Sequence, residues 1–258
     1  MNNMQSMAGR RVLVTGASSG LGAHLAILMA RAGAEVALGA RRIEMLAGIQ
    51  ARIAAIGGTA ISVPLDVSDE ASVQSCYDEI DRVFGGIDSV VANAGTSIEG
   101  RALDIPVEQF DSLMAVNVRG VFLTAREAAR RMIRDGSPER GHGRILIISS
   151  MTAVSVAPGL APYSASKAAV MQLGRVLARD WARLGICVNS ILPGYIETEL
   201  NAGWFASEAG LRQISRWPRK RLMTPSSLDG IALFLCSDAS AETTGSYFLI
   251  DDGQSMIG

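Results

Sequence analysis

The chain has 258 residues, of which 48% are hydrophobic and 19% charged, and its formal net charge is −1 at pH 7. This balance is ordinary for a globular protein and excludes the strong positive field that nucleic-acid or anionic-membrane binding requires. The three cysteines, Cys76, Cys187 and Cys236, are far apart and form no C-x-x-C motif. We therefore predict reduced thiols in a cytoplasmic protein, with neither a disulfide framework nor a metal site.

Short apolar runs alternate along the chain with stretches of helical periodicity. The apolar runs lack polar alternation, which is typical of strands that helices cover on both faces. We predict strands at Arg11–Thr15, Val36–Ala40, Ala60–Val63, Ser89–Ala92, Arg144–Ser149, Cys187–Ile191 and Tyr247–Ile250. We predict helices near residues 21–33, 42–56, 69–84, 107–134, 163–184 and 225–236. This order predicts an α/β fold of the Rossmann type, with a doubly wound parallel sheet of about seven strands, helices on both faces and one domain over residues 1–258.

A glycine-rich segment lies between the first predicted strand and the first predicted helix. Its candidate cofactor-binding residues are Gly16, Ser18, Ser19, Gly20, Leu21 and Gly22. Glycines at such a turn let the backbone approach a pyrophosphate, and the helix N-terminus presents N–H groups to the anion. The position of the segment between a strand and a helix predicts dinucleotide binding.

The same segment also reads G-x-S-x-G, the nucleophile elbow of α/β-hydrolases. A hydrolase of that type needs a histidine late in the chain. The only histidines are His24, just after the elbow, and His142, in the middle of the chain. The hydrolase interpretation is therefore disfavoured.

The end of the second predicted strand indicates which nicotinamide cofactor is used. It ends in Ala40 and is followed by Arg41 and Arg42, with no carboxylate to hold the ribose hydroxyls. Guanidinium groups suit a 2′-phosphate. We predict NADP(H) in preference to NAD(H); the alternative is that both arginines are solvated charges at the start of a helix.

Tyr163 and Lys167 lie four residues apart, and Ser150 lies upstream at the end of an apolar run. On a helix, residues four apart share one face. A lysine ammonium beside a phenol stabilises the phenolate, so we expect Lys167 to lower the pKa of Tyr163. Such a tyrosine can transfer a proton near neutral pH, and Ser150 can hydrogen-bond the same substrate oxygen.

Together these motifs resemble the short-chain dehydrogenase/reductase family, from Arg11 to about Gly253. The resemblance implies a homotetramer in which Ser150, Tyr163 and Lys167 act on a carbonyl or alcohol beside a nicotinamide, with Asn117 as the fourth catalytic residue. It implies further cofactor contacts from Asp66, Val67, Asn93, Ala94, Gly95, Tyr163, Lys167, Pro193, Gly194, Ile196 and Thr198. The chain departs from the family at Ala92, where Asn is common, and at Asp252, where Gly is usual.

The sequence thus predicts an NADP(H)-dependent oxidoreductase that interconverts a ketone and a secondary alcohol, with Tyr163 as proton donor and acceptor. A 3-oxoacyl-thioester reductase and a non-catalytic cofactor-binding module are the alternatives. Residues 195–223 resemble a substrate lid, and their aromatic residues Trp204, Phe205 and Trp217 predict an apolar or aromatic pocket. The alternative is that these side chains pack the lid onto the body of the protein or onto another subunit.

Overall fold

The computed structural model describes residues 6–197 and 202–256, and its centre is a seven-stranded parallel sheet. The strands are β1 (Arg11–Thr15), β2 (Glu35–Ala40), β3 (Thr59–Pro64), β4 (Ser89–Ala92), β5 (Gly143–Ile148), β6 (Ile186–Pro193) and β7 (Tyr247–Ile250). Their order in the sheet is β3-β2-β1-β4-β5-β6-β7. Successive strands are added on one side of β1 up to β3 and on its other side from β4 onwards, so the strand order switches direction between β1 and β4. Ligands of doubly wound sheets bind at the carboxyl ends of the strands beside such a switch.

Helices cover both faces of this sheet, as predicted. They are α1 (Gly20–Arg31), α2 (Ile43–Ala55), α3 (Glu70–Phe84), α4 (Val107–Met114), α5 (Gly120–Arg134), α6 (Ser137–Arg140), α7 (Ala161–Trp181), α8 (Ala202–Phe205), α9 (Glu208–Arg216) and α10 (Asp229–Cys236). Helices α1, α2 and α10 share one apolar core, and α3, α5 and α7 share the other. Successive residues of β1 alternate between the two cores: Val12 and Val14 face the first and Leu13 the second.

The helix predicted near 107–134 is interrupted in its middle. A π-helical turn, Ala115–Arg119, joins α4 to α5 and contains Asn117. Such turns are rare and frequently occur at functional sites. Hydrophobic periodicity does not reveal the turn, because the helix on either side of it keeps an ordinary apolar stripe.

A buried ion pair joins two strands at the amino end of the sheet. Arg11 begins β1, and its Nε and Nη2 atoms donate to the carboxylate of Asp88 at 2.8 Å each. The side chain of Asp88 is only 7% exposed. Burial alone would raise the pKa of Asp88, but hydrogen bonds with Arg11 outweigh it and hold this pKa well below its ordinary value.

No helix within residues 6–197 and 202–256 has the length and apolar character needed to cross a membrane. Cys76, Cys187 and Cys236 are buried free thiols.

Candidate active site

Ser150 and Tyr163 meet at the carboxyl end of β5. Ser150 follows β5 and caps a short 3₁₀ turn, where its Oγ accepts from the Thr152 backbone N–H at 3.2 Å. Tyr163 lies in the first turn of α7, which begins at Ala161 with Pro162 near its N-terminus, a favoured place for proline. The Ser150 hydroxyl is hydrogen-bonded to the phenol of Tyr163. The structure therefore brings together two hydroxyl groups that can both contact one substrate oxygen.

Lys167 lies behind this pair, one helical turn after Tyr163. It is 5% exposed, and its Nζ donates to the carbonyl of Ile148 at 2.9 Å. The same Nζ lies 5.6 Å from the centre of the Tyr163 ring. Burial lowers the pKa of Lys167 to about 8.

The pKa of Tyr163 shifts in the direction opposite to the sequence-based expectation. Burial raises this pKa, the hydrogen bond from Ser150 offsets the rise only in part, and the nearby Tyr195 raises it further. The expectation that Lys167 lowers the pKa of Tyr163 was therefore wrong. The physical reason is that the ammonium points at a backbone carbonyl rather than at the phenol oxygen, and the site is largely removed from water.

Asn117 is fully buried and uses its amide to fix the loop after β4. Its Oδ1 accepts from the Thr96 backbone N–H at 2.8 Å, and its Nδ2 donates to the Thr96 carbonyl at 2.9 Å and to Ser166 Oγ at 3.0 Å. At Gly95, an added Cβ would lie 3.4 Å from both Asn117 Oδ1 and Lys167 Nζ. Asn117 and Lys167 therefore approach each other around Gly95.

The glycine-rich turn is packed against the loop that follows β4. A Cβ at Gly22 would lie 2.2 Å from the Gly16 carbonyl oxygen, and one at Gly16 would lie 2.9 Å from the Cα of Ala94. Thr15 Oγ1 accepts from the backbone N–H groups of Asn93 and Ala94 at 3.0 Å each. The turn therefore has room for glycine only at these positions, and it couples two of the predicted cofactor-binding segments.

The N-terminus of α1 has the properties of an anion site. α1 begins at Gly20, its N-cap Ser19 makes no side-chain cap, and no acidic residue lies in its first turn. An added Cβ at Gly20 would have no atom within 4 Å. Backbone N–H groups at an open helix start fit the pyrophosphate of a dinucleotide.

Arg41 and Arg42 form the cationic group predicted beyond β2. Arg42 Nη2 lies 3.2 Å from Ser18 Oγ and 3.2 Å from Ser19 Oγ, and Arg41 is exposed. Asp66, after β3, accepts from the backbone N–H and the hydroxyl of Ser68 at 2.9 and 2.7 Å. The Ser68 hydrogen bonds, and secondarily Arg41, lower the pKa of Asp66 against the effect of burial. The Arg42 guanidinium and two serine hydroxyls thus form a cluster next to Arg41, and guanidinium groups suit a phosphate.

Three further predicted cofactor contacts lie at or just after the end of β6. Pro193 is its last residue, and Ile196 forms an isolated bridge with Met223. At Gly194, a Cβ would lie 2.5 Å from Gln254 Oε1 and 2.8 Å from the Cα of Asp251. Thr198 lies outside the described residues.

Val67 is buried beside Gly120, where an added Cβ would lie 2.6 Å from Val67 Cγ2. Leu21 packs at the edge of the first core.

The aromatic residues after β6 pack around Tyr195. The rings of Tyr195 and Trp217 are stacked, with centroids 5.4 Å apart and an interplanar angle of 17°, and Phe205 meets Tyr195 edge-on, also at 5.4 Å. Phe205 and Trp217 are 5% and 2% exposed, whereas Trp204 is 54% exposed. For Phe205 and Trp217, this burial against Tyr195 agrees with the alternative that aromatic residues of residues 195–223 pack onto the body of the protein.

Three polar residues of this region were missed by the sequence analysis. Gln254 Oε1 accepts from the Tyr195 backbone N–H at 2.6 Å, and Gln213 is hydrogen-bonded to the Tyr195 phenol. Ser166 supports Asn117 from α7. Only Ser166 had a sequence signal, since it lies inside the Tyr163–Lys167 motif; the two glutamines stand in no recognisable pattern.

The seven-stranded parallel sheet with helices on both faces is a Rossmann-like fold. A family model described as enoyl-(acyl carrier protein) reductase matches residues 16–255. The chain is 39% identical over 254 residues to a gluconate 5-dehydrogenase from Gluconobacter oxydans, which covers 96% of this chain and 95% of that protein. The chain belongs to the short-chain dehydrogenase/reductase family.

Solved structures agree with this assignment. A short-chain type dehydrogenase/reductase from Mycobacterium marinum superposes with a TM-score of 0.91 at 37% identity, covering 98% of both chains. A gluconate 5-dehydrogenase from Burkholderia cenocepacia, in complex with NADP and tartrate, superposes with a TM-score of 0.92 at 35% identity, covering 99% of both. The relatives are oxidoreductases acting on small molecules.

Proposed function

We propose that this protein is a cytoplasmic NADP(H)-dependent oxidoreductase that interconverts a ketone and a secondary alcohol. The observation that carries the proposal is the hydrogen-bonded pair of Ser150 and Tyr163, with the Lys167 ammonium behind it at the carboxyl end of β5. The glycine-rich turn, the open start of α1 and the Arg41–Arg42 group fit the cofactor. When bound, the nicotinamide supplies or accepts the hydride.

In this proposal Tyr163 is the proton donor during reduction. Because its pKa is raised, the phenol is protonated at neutral pH and can donate to the carbonyl oxygen. Ser150 donates to the same oxygen as negative charge develops there. Lys167, whose ammonium lies 5.6 Å from the centre of the Tyr163 ring, would bind the nicotinamide ribose. Asn117 would complete a proton relay to Lys167, consistent with their approach around Gly95.

We propose a polyhydroxylated acid as the substrate class, covered by residues 195–223 as a lid. The support is the similarity to gluconate 5-dehydrogenases, one of them solved with tartrate. Polar groups also surround Tyr195, which lies close enough to Tyr163 to raise its pKa: Gln213 is hydrogen-bonded to the Tyr195 phenol, and Glu99 raises the Tyr195 pKa. A 3-oxoacyl-thioester reductase is the second candidate, and the description of the matching family model favours it.

A screen of NADPH oxidation tests the activity. It compares 5-ketogluconate, the oxidation product of gluconate at carbon 5, with acetoacetyl-CoA. Tyr163→Phe should lower kcat by at least about a hundredfold, as is typical when a general acid is removed, and should barely change cofactor affinity. Tyr247→Phe, the same change at an exposed tyrosine of β7, is the matched control. Near-normal turnover by Tyr163→Phe would exclude the proposed role of Tyr163, and no NADPH turnover with any ketone or thioester would favour the non-catalytic alternative.

Cofactor choice is tested by steady-state kinetics with NADPH and NADH. We expect the wild type to prefer NADPH. Removing a guanidinium in Arg41→Ala or Arg42→Ala should lower kcat/KM for NADPH about tenfold or more, given the strength of hydrogen bonds to charged groups, and should leave NADH use nearly unchanged. Arg52→Ala, at an exposed arginine of α2, is the control. Equal or better kinetics with NADH in the wild type would overturn the NADP(H) assignment.

We also propose a homotetramer. β7 lies at the edge of the sheet, and two of its apolar side chains, Tyr247 and Leu249, are 47% and 39% exposed. Exposed apolar edge strands favour pairing or cover by another chain, and closed symmetry favours a dimer of dimers. Light scattering should give about four times the chain mass; a stable monomer of 27.2 kDa at micromolar concentration would refute the tetramer.

A further inference from the structure

The side chain of Gln254 clamps the backbone of Tyr195. Its Oε1 accepts from the Tyr195 N–H at 2.6 Å, and its Nε2 donates to the Tyr195 carbonyl at 3.3 Å. Gln254 is 1% exposed. An amide that binds both backbone groups of one residue holds that peptide segment in place, and loss of the Oε1 contact leaves the Tyr195 N–H without its partner. The Tyr195 carbonyl also accepts from the Met223 N–H at 3.1 Å.

Gln254 is itself held by a tight turn after β7. The carboxylate of Asp251 accepts from the N–H groups of Gly253 and Ser255 at 3.0 and 2.9 Å, and the Gln254 N–H donates to the Asp251 carbonyl at 2.8 Å. The Gly194 N–H donates to the Ile250 carbonyl at 2.9 Å, which brings the turn against the end of β6. The amide of Gln254 therefore has a defined position relative to the strand that leads into Tyr195.

A second contact ties the same turn to the end of the proposed lid. Asp252 has a positive φ of 53° and accepts from Arg221 Nε at 2.8 Å, and Arg219 lies 3.2 Å from its other carboxylate oxygen. Asp252 stands where the family usually has glycine, so these ion pairs depend on a departure of this chain from the family pattern. Both pairs are exposed on the arginine side, and their effect on stability is small.

The phenol of Tyr195 lies near the reacting groups, because Tyr195 is one of the groups that raise the pKa of Tyr163. Burial and Glu99 raise the pKa of Tyr195 itself, and its hydrogen bond with Gln213 offsets this rise in part. Trp217 stacks on its ring, so the ring cannot readily rotate away. A shift of the Tyr195 backbone would therefore move the phenol relative to the Tyr163 hydroxyl.

We infer that Gln254 is a positioning residue. Through it, the turn after β7 holds Tyr195 in place, and Tyr195 determines the substrate specificity of the site. The inference rests on the proposed function for its substrate. Gln254 does not contact the reacting carbonyl. It places the Tyr195 phenol to hydrogen-bond a hydroxyl group on a carbon next to that carbonyl, so it should matter for a polyhydroxylated ketone and not for a ketone without hydroxyl groups.

The test uses the full-length protein with Gln254→Leu and Gln254→Glu. Leucine removes both bonds to Tyr195, whereas glutamate keeps the acceptor for the Tyr195 N–H. Hydrogen exchange of the Tyr195 amide should be at least about tenfold faster in Gln254→Leu and nearly unchanged in Gln254→Glu, in line with the loss of a single protecting bond. Gln74→Leu, at an exposed glutamine of α3, should leave the exchange unchanged.

The kinetic part compares 5-ketogluconate with 2,3-butanedione, a ketone without hydroxyl groups. Gln254→Leu should raise KM for 5-ketogluconate about tenfold or more, since small misplacements of a positioning group have large effects. kcat for 2,3-butanedione and the Kd for NADPH should change less than threefold. Tyr195→Phe should alter the preference in the same sense, and the double variant should add little, because the two residues act through one contact.

Unchanged exchange of the Tyr195 amide in Gln254→Leu would refute the positioning role. An equal loss of turnover on both ketones would show a purely structural role and would also overturn the inference. If the wild type reduced neither ketone, the proposed function would fail, while the exchange result would still decide whether Gln254 positions Tyr195.

Discussion

The buried charge of Lys167 should lower the stability of the folded protein. It is 5% exposed and buries an ammonium whose pKa is lowered to about 8 from an ordinary 10.5. At about 1.4 kcal/mol for each pKa unit, the folded chain keeps this charge at neutral pH at a cost of roughly 3 kcal/mol. Lys167→Met keeps a flexible side chain of similar length and removes the charge.

The net gain is smaller than this cost. The substitution also removes the hydrogen bond from Nζ to the Ile148 carbonyl, and a lost bond of this kind costs about 1–2 kcal/mol. We therefore expect Lys167→Met to raise the free energy of unfolding by roughly 1–2 kcal/mol at pH 7 without cofactor. For a chain of this size, that corresponds to roughly 3–6 °C in Tm. The same variant should lose activity.

The pH dependence gives this prediction a distinctive sign. Because the folded-state pKa of Lys167 lies below the unfolded value, the unfolded chain binds more protons between about pH 8 and 10.5. The stability of the wild type therefore rises through that window as its buried lysine becomes neutral. The advantage of Lys167→Met should be fully present below pH 8 and should vanish or reverse near pH 10.

Urea unfolding at pH 7 and pH 10, at one protein concentration, measures both effects. Lys220→Met is the matched control, because Lys220 is the only other lysine of the chain and is exposed. If Lys167→Met is less stable than the wild type at pH 7, or if its difference from the wild type is the same at both pH values, the reasoning is refuted.

Two further substitutions test the glycine-rich turn and the amino end of the sheet. Gly22→Ala would place a Cβ 2.2 Å from the Gly16 carbonyl oxygen, so fluorescence titration should show strongly weakened NADPH binding. Gly48→Ala is the control and should bind NADPH normally, because its added Cβ has no atom within 4 Å. Wild-type affinity for NADPH in Gly22→Ala would contradict the packing argument. Asp88→Asn leaves the half-buried Arg11 without its anion and should cost about 3 kcal/mol of unfolding free energy at pH 7. Since the folded-state pKa of Asp88 is lowered, the difference in unfolding free energy between the wild type and Asp88→Asn should persist down to about pH 4 and shrink in more acidic solution. A difference that stays constant into strong acid would contradict the ion-pair explanation.

The sequence by itself determined the fold class and predicted most residues of the candidate site. Strand and helix periodicities are local properties, and they predicted the parallel sheet with helices on both faces. The glycine-rich turn was equally local, because Gly16 and Gly22 are close in sequence and the steric need for glycine arises within one strand–turn–helix unit. Tyr163 and Lys167 were expected on one helical face, and the structure places them there.

Only the tertiary structure decided the electrostatics and the substrate side. The pKa of Tyr163 rises because distant parts of the chain remove it from water, and no pattern within its own helix encodes that burial. The contact of Tyr195 with Gln254 joins residues 59 positions apart, and the packing of Trp217 against Tyr195 likewise depends on how the segment after β6 folds back. Local propensities are carried by neighbouring residues, whereas desolvation and long-range hydrogen bonds exist only once the whole chain has packed.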